Sequence, residues 1–482
     1  MQNLWSITGR SIAVSALALA LTACQSMRGP EPVAQTDIPS SYSMSSDGAS
    51  VAEQGYKDFF ADPRLVQVLD LAIANNRDLR IAALNIQRAQ QQYQITQNSQ
   101  LPTIGVSGDV VRQSAMTTAG RSTATTYQVG LGVTAYELDF WGRVRSLKDN
   151  ALDTYLATAS ARDATQIALV GQVAQAWLAY SYANANLKLA EQTLKAQLES
   201  YNLNKKRFDV GIDSEVPVRQ AQISVETARS DVAQYKTQVE QAENLVNLLV
   251  GQVVPRDLLP QDGVTKVTST QIFNTGLPSD LLVNRPDVRA AEFRLSAAGA
   301  NIGAARAALY PTIRLTGSAG FASRELSDLF ESGSQVWSIG PSLDIPLWDW
   351  GTRKANIKIS ETDQQIMLSD YEKSIQSAFR EVNDALAVRK YIADRVAAQK
   401  RLVDATNTTY RLSTARFRAG IDSYMTVLDA QRSAYAAEQG LLLLEQANLN
   451  NQIELYKALG GGLKARTTDN LPQPASSQEQ RK

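Results

Sequence analysis

Residues 207–214 read Arg-Phe-Asp-Val-Gly-Ile-Asp-Ser, and residues 416–423 read Arg-Phe-Arg-Ala-Gly-Ile-Asp-Ser. The two stretches are 209 residues apart, and the same offset links Trp141-Gly142 to Trp350-Gly351. The register holds from near residue 70 to near residue 460, which indicates that one unit has been duplicated. A duplicated unit is expected to fold twice and to sit about a pseudo-twofold axis.

Charge and composition exclude several classes of function. The 482 residues contain 48 Lys plus Arg and 48 Asp plus Glu, so net charge gives no basic surface for nucleic acid. Histidine is absent, which removes histidine-based general base catalysis, Ser-His triads and imidazole metal ligands. Cys24 is the only cysteine, which excludes disulfides within the chain and cysteine-rich zinc sites. We therefore expect no catalytic residues, no metal site and no enzyme activity.

The N-terminus has the pattern of a bacterial lipoprotein signal. Arg10 precedes an apolar run at 12–21 that is too short to span a bilayer and that leads into Leu21-Thr22-Ala23-Cys24. This pattern predicts a signal peptide at 1–23 and a covalent lipid on Cys24. We expect no other non-protein group. Gln25, rather than Asp, follows the cysteine, which resembles the pattern for export to the outer membrane. The alternative is an ordinary signal peptide with an incidental cysteine.

Changes in composition divide the rest of the chain into five parts. We predict a lipidated N-terminal tether at 24–61, a first repeat at 62–251, a connector at 252–278, a second repeat at 279–460 and a polar C-terminal tail at 461–482. Each repeat is predicted to contain a helix, two strands and one long helical hairpin, in the same order.

Alternating apolar and polar residues predict two strands in each repeat. The first repeat alternates over 104–110 and 127–136, with Ala135 on the apolar face and Tyr136 on the polar face. Residues 113–126 between these runs are rich in Ser and Thr and are predicted to form a loop. The second repeat alternates over 313–321 and 337–347. Aromatic residues near the strand ends, such as Trp348, resemble the girdle of a membrane interface.

Each strand pair is followed by a predicted helix of unusual length. Residues 146–207 contain no Pro and one Gly, and residues 352–417 contain neither. Their apolar residues recur every seven positions, which predicts close coiled-coil packing. Short turns at 209–215 and 418–424 then lead into return helices that end at Val250 or Leu459. Each repeat therefore projects a long helical hairpin away from its strands.

Four strands cannot close a membrane barrel by themselves, because natural barrels have at least about eight. Open sheet edges are not tolerated in lipid, so the alternation predicts that several chains share one barrel. Two chains would give eight strands and three would give twelve, and the small polar inward residues favour an open lumen. The alternative is a four-stranded sheet that lies on a soluble core with coiled-coil arms.

These motifs together resemble the outer membrane factor family of the TolC/OprM type, in the lipoprotein branch that serves resistance-nodulation-division (RND) efflux pumps. The resemblance covers essentially the whole mature chain. Its carriers are the lipobox at 21–24, Phe-Phe-Ala-Asp-Pro-Arg-Leu at 59–65, Leu-Val-Asn-Arg-Pro-Asp-Val at 282–288, the two tip turns, and Thr-Val-Leu-Asp-Ala-Gln-Arg at 426–432.

The resemblance implies a mainly α fold with a transmembrane β-barrel. It implies a homotrimer in which twelve strands form the outer-membrane barrel and twelve helices form a periplasmic tunnel. Residues 252–278 and the chain ends would form an equatorial belt around that tunnel. The protein would be lipid-anchored in the outer membrane and would extend into the periplasm.

The function that the resemblance implies is passive. The chain would be the exit duct of a tripartite pump for small toxic compounds, with a periplasmic adaptor and an inner-membrane RND transporter as partners. One alternative is the outer channel of a type I protein-secretion system, against which the lipobox and Arg285-Pro286-Asp287-Val288 argue. Another alternative is a lipid-anchored structural coiled-coil protein without a pore.

The hairpin tips are the first candidate site. Glycine permits the positive φ of a tight turn, and the Asp-Ser pairs at 213–214 and 422–423 are predicted to cap the return helices. A plain connector is the simplest interpretation. The resemblance adds adaptor docking, and the matching positions are Arg207, Gly211, Ser214, Arg416, Gly420 and Ser423.

The start of the last helix is the second candidate site. Met425 and Asp429 are four residues apart and share a helix face, and Asp429 could pair with Arg432 as an ordinary surface ion pair. The resemblance implies instead that Met425, Asp429 and Arg432 line a closed periplasmic aperture. In a trimer, Asp429 would form a carboxylate ring, which favours cations. TolC-like sequences carry a second Asp where this chain has Thr426, so the ring would be single.

Overall fold

A computed structural model describes residues 27–36, 53–118, 120–269 and 285–469. The lipidation position Cys24, parts of the predicted tether and connector, and the tail beyond residue 469 lie outside the described residues. In chain order the elements are α1 (Tyr56–Phe59), α2 (Pro63–Asn75), α3 (Arg77–Asn98), β1 (Ile104–Thr117), β2 (Gly120–Glu137), α4 (Arg143–Asp209), α5 (Glu215–Val250), α6 (Pro286–Ala307), β3 (Thr312–Ser323), β4 (Gln335–Asp344), α7 (Thr352–Arg418) and α8 (Tyr424–Ala458).

The four strands form one antiparallel sheet in the order β1-β2-β3-β4. Apolar residues lie side by side across it: Val106 opposes Leu131, Leu131 opposes Ala319, and Ala319 opposes Trp337. The next row of paired residues, one position further along each strand and on the opposite face, is Gly105, Gly132, Ser318 and Ser338. The sheet therefore has one apolar face and one small, polar face, and the four predicted strands are confirmed.

Two details of the predicted sheet were wrong. Residues 113–126 are mostly strand, because β1 and β2 pair continuously as far as Thr117 and Gly120. The register also shifts between Val133 and Tyr136, where Ala135 has a φ of 53°. This β-bulge turns Tyr136 onto the same face as Val133, because an extra residue inverts the alternation. The Tyr136 hydroxyl then donates to the Gln100 carbonyl at 2.9 Å.

The long helices make the molecule elongated. Helices α4 and α7 each contain 67 residues, which corresponds to about 100 Å at about 1.5 Å per residue. Each packs against its return helix, α5 or α8, and α4 also contacts α3, α6 and α8. Helix α6 bridges α4 and α7. In the described part of the chain, no helix is both long and apolar enough to cross a membrane.

The largest apolar core lies midway along the long helices, where α1, the described part of the connector and the segment after α8 pack on them. The Phe59 ring stacks on Tyr456 with 3.8 Å between centroids. Trp177 Nε1 donates to the Leu258 carbonyl at 2.9 Å, and the Tyr182 hydroxyl donates to the Val264 carbonyl at 2.9 Å. The described part of the connector is therefore fastened to α4 by buried aromatic side chains with satisfied polar groups.

Parts of the predicted tether and tail pack against the core. Tyr56 and Phe59 are buried in the core, because α1 brings their aromatic rings against α8. The Tyr56 and Lys57 amides donate to the Lys464 and Ala465 carbonyls, both at 3.0 Å. The segment around α1 and the segment that follows α8 therefore bind each other at the level of the core.

The duplication extends to individual hydrogen bonds. Asn76 Nδ2 donates to the Leu249 carbonyl at 2.7 Å, and Arg285 Nη1 donates to the Ala458 carbonyl at 3.0 Å. The two donors occupy equivalent positions of the two repeats, and so do the two acceptors. The longer Arg285 side chain also forms a partly buried ion pair with Glu381 at 2.7 Å, which the shorter, uncharged Asn76 cannot form. The scaffold contact is preserved although the residue types differ.

Candidate functional site

The first hairpin tip is a tight turn between α4 and α5. The Gly211 amide donates to the Phe208 carbonyl and the Ile212 amide to the Arg207 carbonyl, both at 2.9 Å. Gly211 has a φ of 77°, a conformation that glycine adopts without strain. The Arg207 guanidinium pairs with the Asp213 carboxylate across the turn, and this hydrogen bond raises the pKa of Arg207.

The second tip, between α7 and α8, repeats this geometry. Gly420 has a φ of 74°, and the Ile421 amide donates to the Arg416 carbonyl at 3.0 Å. Arg416 binds Asp422 with two hydrogen bonds of 2.6 and 2.9 Å. The guanidinium lowers the pKa of the Asp422 carboxyl.

The predicted side-chain caps are wrong at both tips. Ser214 and Ser423 occupy the N-cap positions of α5 and α8, but their side chains accept no capping hydrogen bond. The aspartates are engaged by the arginines instead. Because charge-assisted hydrogen bonds are stronger than neutral ones, an Arg-Asp pair closes the turn at each tip.

A small apolar cluster joins the two hairpins just above the tips. Its buried members are Ala221 of α5, Phe417 of α7, and Tyr424, Val427 and Leu428 of α8. The Phe417 and Tyr424 rings are 5.6 Å apart. The Arg207 guanidinium lies over the Phe417 ring at 5.3 Å, so the first tip contacts the second directly. No local sequence pattern predicts this contact, because its partners belong to different repeats.

A cleft of about 550 Å³ opens beside the start of α8. Its lining includes Met425, Thr426 and Asp429 of α8, facing Thr406 and Ser413 of α7. Met425 and Asp429 are exposed and share one helix face, as the spacing predicted. Arg432 is also exposed, and no ion pair joins it to Asp429 among the described residues. The structure therefore brings Met425 and Asp429 together and leaves Arg432 outside the cleft lining.

Burial distinguishes one side chain in this region. Tyr424 is 3 % exposed, and desolvation by burial raises its pKa to about 12. Within the described residues its hydroxyl has no hydrogen-bond partner.

Across those same residues, no group of three or more Asp, Glu, Cys or His side chains is arranged to hold a metal ion. The arrangement at the tips is suited to packing and recognition.

The fold and the tips together define a class: a sheet of four strands with two open edges, continued by two coiled-coil hairpins. The family described as "Outer membrane efflux protein" matches residues 68–252 and again residues 277–461. The second match begins and ends at the positions of the second repeat that are equivalent to the limits of the first match. The chain belongs to the outer membrane efflux protein family.

Curated relatives and solved structures agree with this assignment. The probable efflux pump outer membrane protein TtgC of Pseudomonas putida is 44 % identical over 422 residues, 86 % of each chain. The cation efflux system protein CusC of Escherichia coli is 38 % identical over 454 residues, 92 % of this chain and 97 % of the relative. The MtrE outer membrane channel of Neisseria gonorrhoeae, solved in its open state, superposes with a TM-score of 0.84 at 37 % identity, covering 92 % of this chain and all of that one.

Proposed function

We propose that this chain is the outer-membrane exit duct of a tripartite RND-type efflux pump and that it works as a homotrimer. It carries out no reaction. Small toxic compounds leave through its lumen, an inner-membrane RND transporter supplies the energy, and a periplasmic adaptor joins the two. Relatives named for antibiotic, solvent and toluene efflux support this cargo.

The open sheet carries this proposal. Among the described residues, β1 and β4 each pair with one strand only, so both edges of the sheet keep unpaired backbone groups. The apolar face is exposed in the single chain: Val106 is 75 % and Trp337 is 78 % exposed. Such a sheet is stable only if strands of other copies pair with its two edges and lipid covers its apolar face. Three copies supply twelve strands and close the barrel.

The junctions between the strands and the long helices have the features of a membrane boundary at the periplasmic end of the sheet. Trp348 and Trp350 are exposed and pack edge to face, with ring centroids 5.5 Å apart. Exposed tryptophans are typical of the interface between membrane and water. The lipid on Cys24 is proposed to anchor the chain on this periplasmic side of the outer membrane.

We assign the periplasmic aperture to the face of α8 that carries Met425 and Asp429, with Arg432 at its edge. In a trimer, an Asp429 from each chain around the axis gives a ring of carboxylates, which resists anions and is held closed by the packing of α7 and α8. The apolar cluster of Phe417 and Tyr424 lies on the other side of α8. Opening the aperture therefore requires α8 to move against that cluster.

We assign adaptor docking to the tips at Arg207, Gly211, Ser214, Arg416, Gly420 and Ser423. Ile212 and Ile421 are 64 % and 63 % exposed at equivalent positions of the two turns. A Cβ added at Gly211 or Gly420 would meet no atom within 4 Å, so the turn backbones are open to a partner. Exposed apolar side chains around an open backbone suit a protein contact.

Drug susceptibility tests the function. A strain that lacks this gene and any redundant outer channel is expected to become sensitive to antibiotics and solvents, and the wild-type gene is expected to restore resistance. Unchanged susceptibility on deletion would contradict the efflux proposal. Cys24→Ser tests the anchor separately, with membrane fractionation as the measurement.

Single-channel recording tests the aperture. Asp429→Ala is expected to change the conductance in planar bilayers and to weaken its preference for cations, because it removes the carboxylate ring. Gln220→Ala, at the equivalent position of the first repeat, is the matched control and should leave conductance unchanged. Equal conductance in all three proteins would refute the assigned aperture while leaving the exit-duct proposal intact.

A further inference from the structure

A short N-terminal segment lies along the helices of the second repeat. We call residues 27–36 the strap. At its beginning, Arg306 Nη1 of α6 donates to the Met27 carbonyl at 3.4 Å. At its end, the Gln35 amide donates to Glu372 of α7 at 2.8 Å. Arg306 lies close to the end of α6, just before β3 begins, so the strap starts near the sheet and continues along the helices away from it.

Arg28 is the strap residue that enters the protein. Its Nη2 donates to both the carbonyl and the Oγ of Ser296, each at 2.7 Å. Its Nη1 lies 3.8 Å from the Asp153 carboxylate of α4, and Ser296 Oγ donates to that carboxylate at 2.6 Å. Asp153 is fully buried. We call Asp153 and Ser296 the Arg28 socket.

Two glycines of α6 allow the strap to come this close. A Cβ at Gly299 would lie 3.4 Å from Arg28 Nε, and a Cβ at Gly303 would lie 3.2 Å from the Arg28 backbone nitrogen. Larger side chains at either position would push the strap away. The small residues of α6 therefore leave space for the strap, and the charge that pairs with Arg28 comes from Asp153 of α4.

The socket is built from both repeats, with Asp153 from the first and Ser296 and the two glycines from the second, and it has no second copy at the equivalent positions. The positions of the first repeat that are equivalent to Gly299, Gly303 and Ser296 hold glutamine, at residues 90, 94 and 87. The position of the second repeat that is equivalent to Asp153 holds Thr362. None of these four residues is thus retained in the other copy. The socket is not part of the duplicated scaffold.

We propose that the groove between α4 and α6 is a receptor site for the mature N-terminus and that Arg28 is the group it recognises. Arg28 compensates the buried Asp153 carboxylate, which would otherwise be costly to hold inside the protein. Because Met27 follows Cys24 by only three positions, docking of Met27 on Arg306 keeps the lipidation position within about 11 Å of this end of α6. The strap then connects the lipid anchor mechanically to the helices.

Trypsin cleavage after Arg28 tests the docking in the full-length protein in detergent. Fragments that begin at Gly29 should form slowly in the wild type, because Arg28 is held in its socket. Asp153→Asn should accelerate this cleavage roughly tenfold, the change expected for loss of a hydrogen-bonded charge partner. Asp163→Asn, a partly exposed aspartate on the same helix, is the matched control and should cleave at the wild-type rate. Equal rates in all three proteins would overturn the proposal.

A second pair of variants keeps the proposal testable if Asp153→Asn folds poorly. Arg28→Ala should lower the thermal melting temperature, because it leaves Asp153 buried without its cation. Arg28→Ala combined with Asp153→Asn should recover part of that loss, since the buried carboxylate is then replaced by a neutral amide. Additive losses in the double variant would show that Arg28 and Asp153 are not coupled. Neither readout involves transport, so failure here is distinguishable from failure of the exit-duct proposal.

Discussion

The two hairpin tips have the same turn and different surroundings. In both, an arginine pairs with the aspartate on the far side of the turn, and a glycine with positive φ completes it. Yet the Arg207 side chain is 24 % exposed, with its guanidinium over the Phe417 ring, whereas the Arg416 side chain is 54 % exposed. The first tip therefore leans on the second, and the second is more open to solvent.

The return helices diverge more than the turns do. Helix α5 begins with exposed Glu215, which pairs with Arg219 at 2.7 Å. At the equivalent position α8 begins with Tyr424, which is buried in the cluster that joins the hairpins. The two repeats thus share the backbone turn, which depends only on local interactions. They differ in the side chains that decide what each hairpin contacts. Only the second hairpin combines a buried aromatic residue at the start of its return helix with the exposed Asp429 face.

Removing the Tyr424 ring should give the largest effect. Tyr424→Ala is expected to cost about 3 kcal/mol of local stability, because it leaves a cavity between the hairpins. Amide hydrogen exchange over 416–428 should then be roughly 100-fold faster, since about 1.4 kcal/mol corresponds to each tenfold change. Glu215→Ala at the equivalent exposed position should cost less than about 0.5 kcal/mol.

Tyr424→Phe separates the ring from its hydroxyl. The hydroxyl has no partner within the described residues, so its loss should leave exchange at the tip no faster than in the wild type. Fast exchange in Tyr424→Phe would mean that the hydroxyl, and not the ring, holds the hairpins together. Equal effects of Tyr424→Ala and Glu215→Ala would remove the distinction between the tips.

Alanine at the two glycines should give an intermediate effect that is equal at both tips. Gly211→Ala and Gly420→Ala each force a Cβ into the left-handed conformation, which costs about 1–2 kcal/mol. Both sites have open space for the added methyl group, so steric overlap adds no further cost at either tip. Hydrogen exchange at each turn measures the cost. Faster exchange at one tip only would show that the two turn backbones respond differently despite their shared geometry.

The long helices, the turns and the existence of four strands could be predicted because their signals are local. Absence of proline, heptad spacing and glycine at the turn each act within a few residues. Residues 113–126 escaped prediction because their side chains do not alternate between apolar and polar, although the backbone pairing of β1 with β2 continues through this region. The Ala135 bulge escaped because alanine carries no signal for a positive φ.

The contacts of the site were less predictable than its residues. The spacing of Met425 and Asp429 placed them on one face correctly. The Arg207–Phe417 and Arg28–Ser296 contacts join residues that are far apart in the chain, and no periodicity encodes such pairs. The Asp-Ser pairs were misread because their local capping signal competes with an arginine on the preceding turn. Folding brought that arginine within reach.

The smallest expected effect is an acid response at the second tip. Because Arg416 lowers the pKa of Asp422 below its ordinary 3.8, the ion pair stabilises the turn above that pH and is lost as pH falls through the lowered value. Hydrogen exchange over 418–424, corrected for its intrinsic pH dependence, should be constant from pH 8 to about pH 5 and rise below about pH 4. Asp422→Asn should abolish the rise, whereas Asp213→Asn at the first tip should preserve it. A rise that persists in Asp422→Asn would assign the acid response to another carboxylate and leave the two turns electrostatically equivalent.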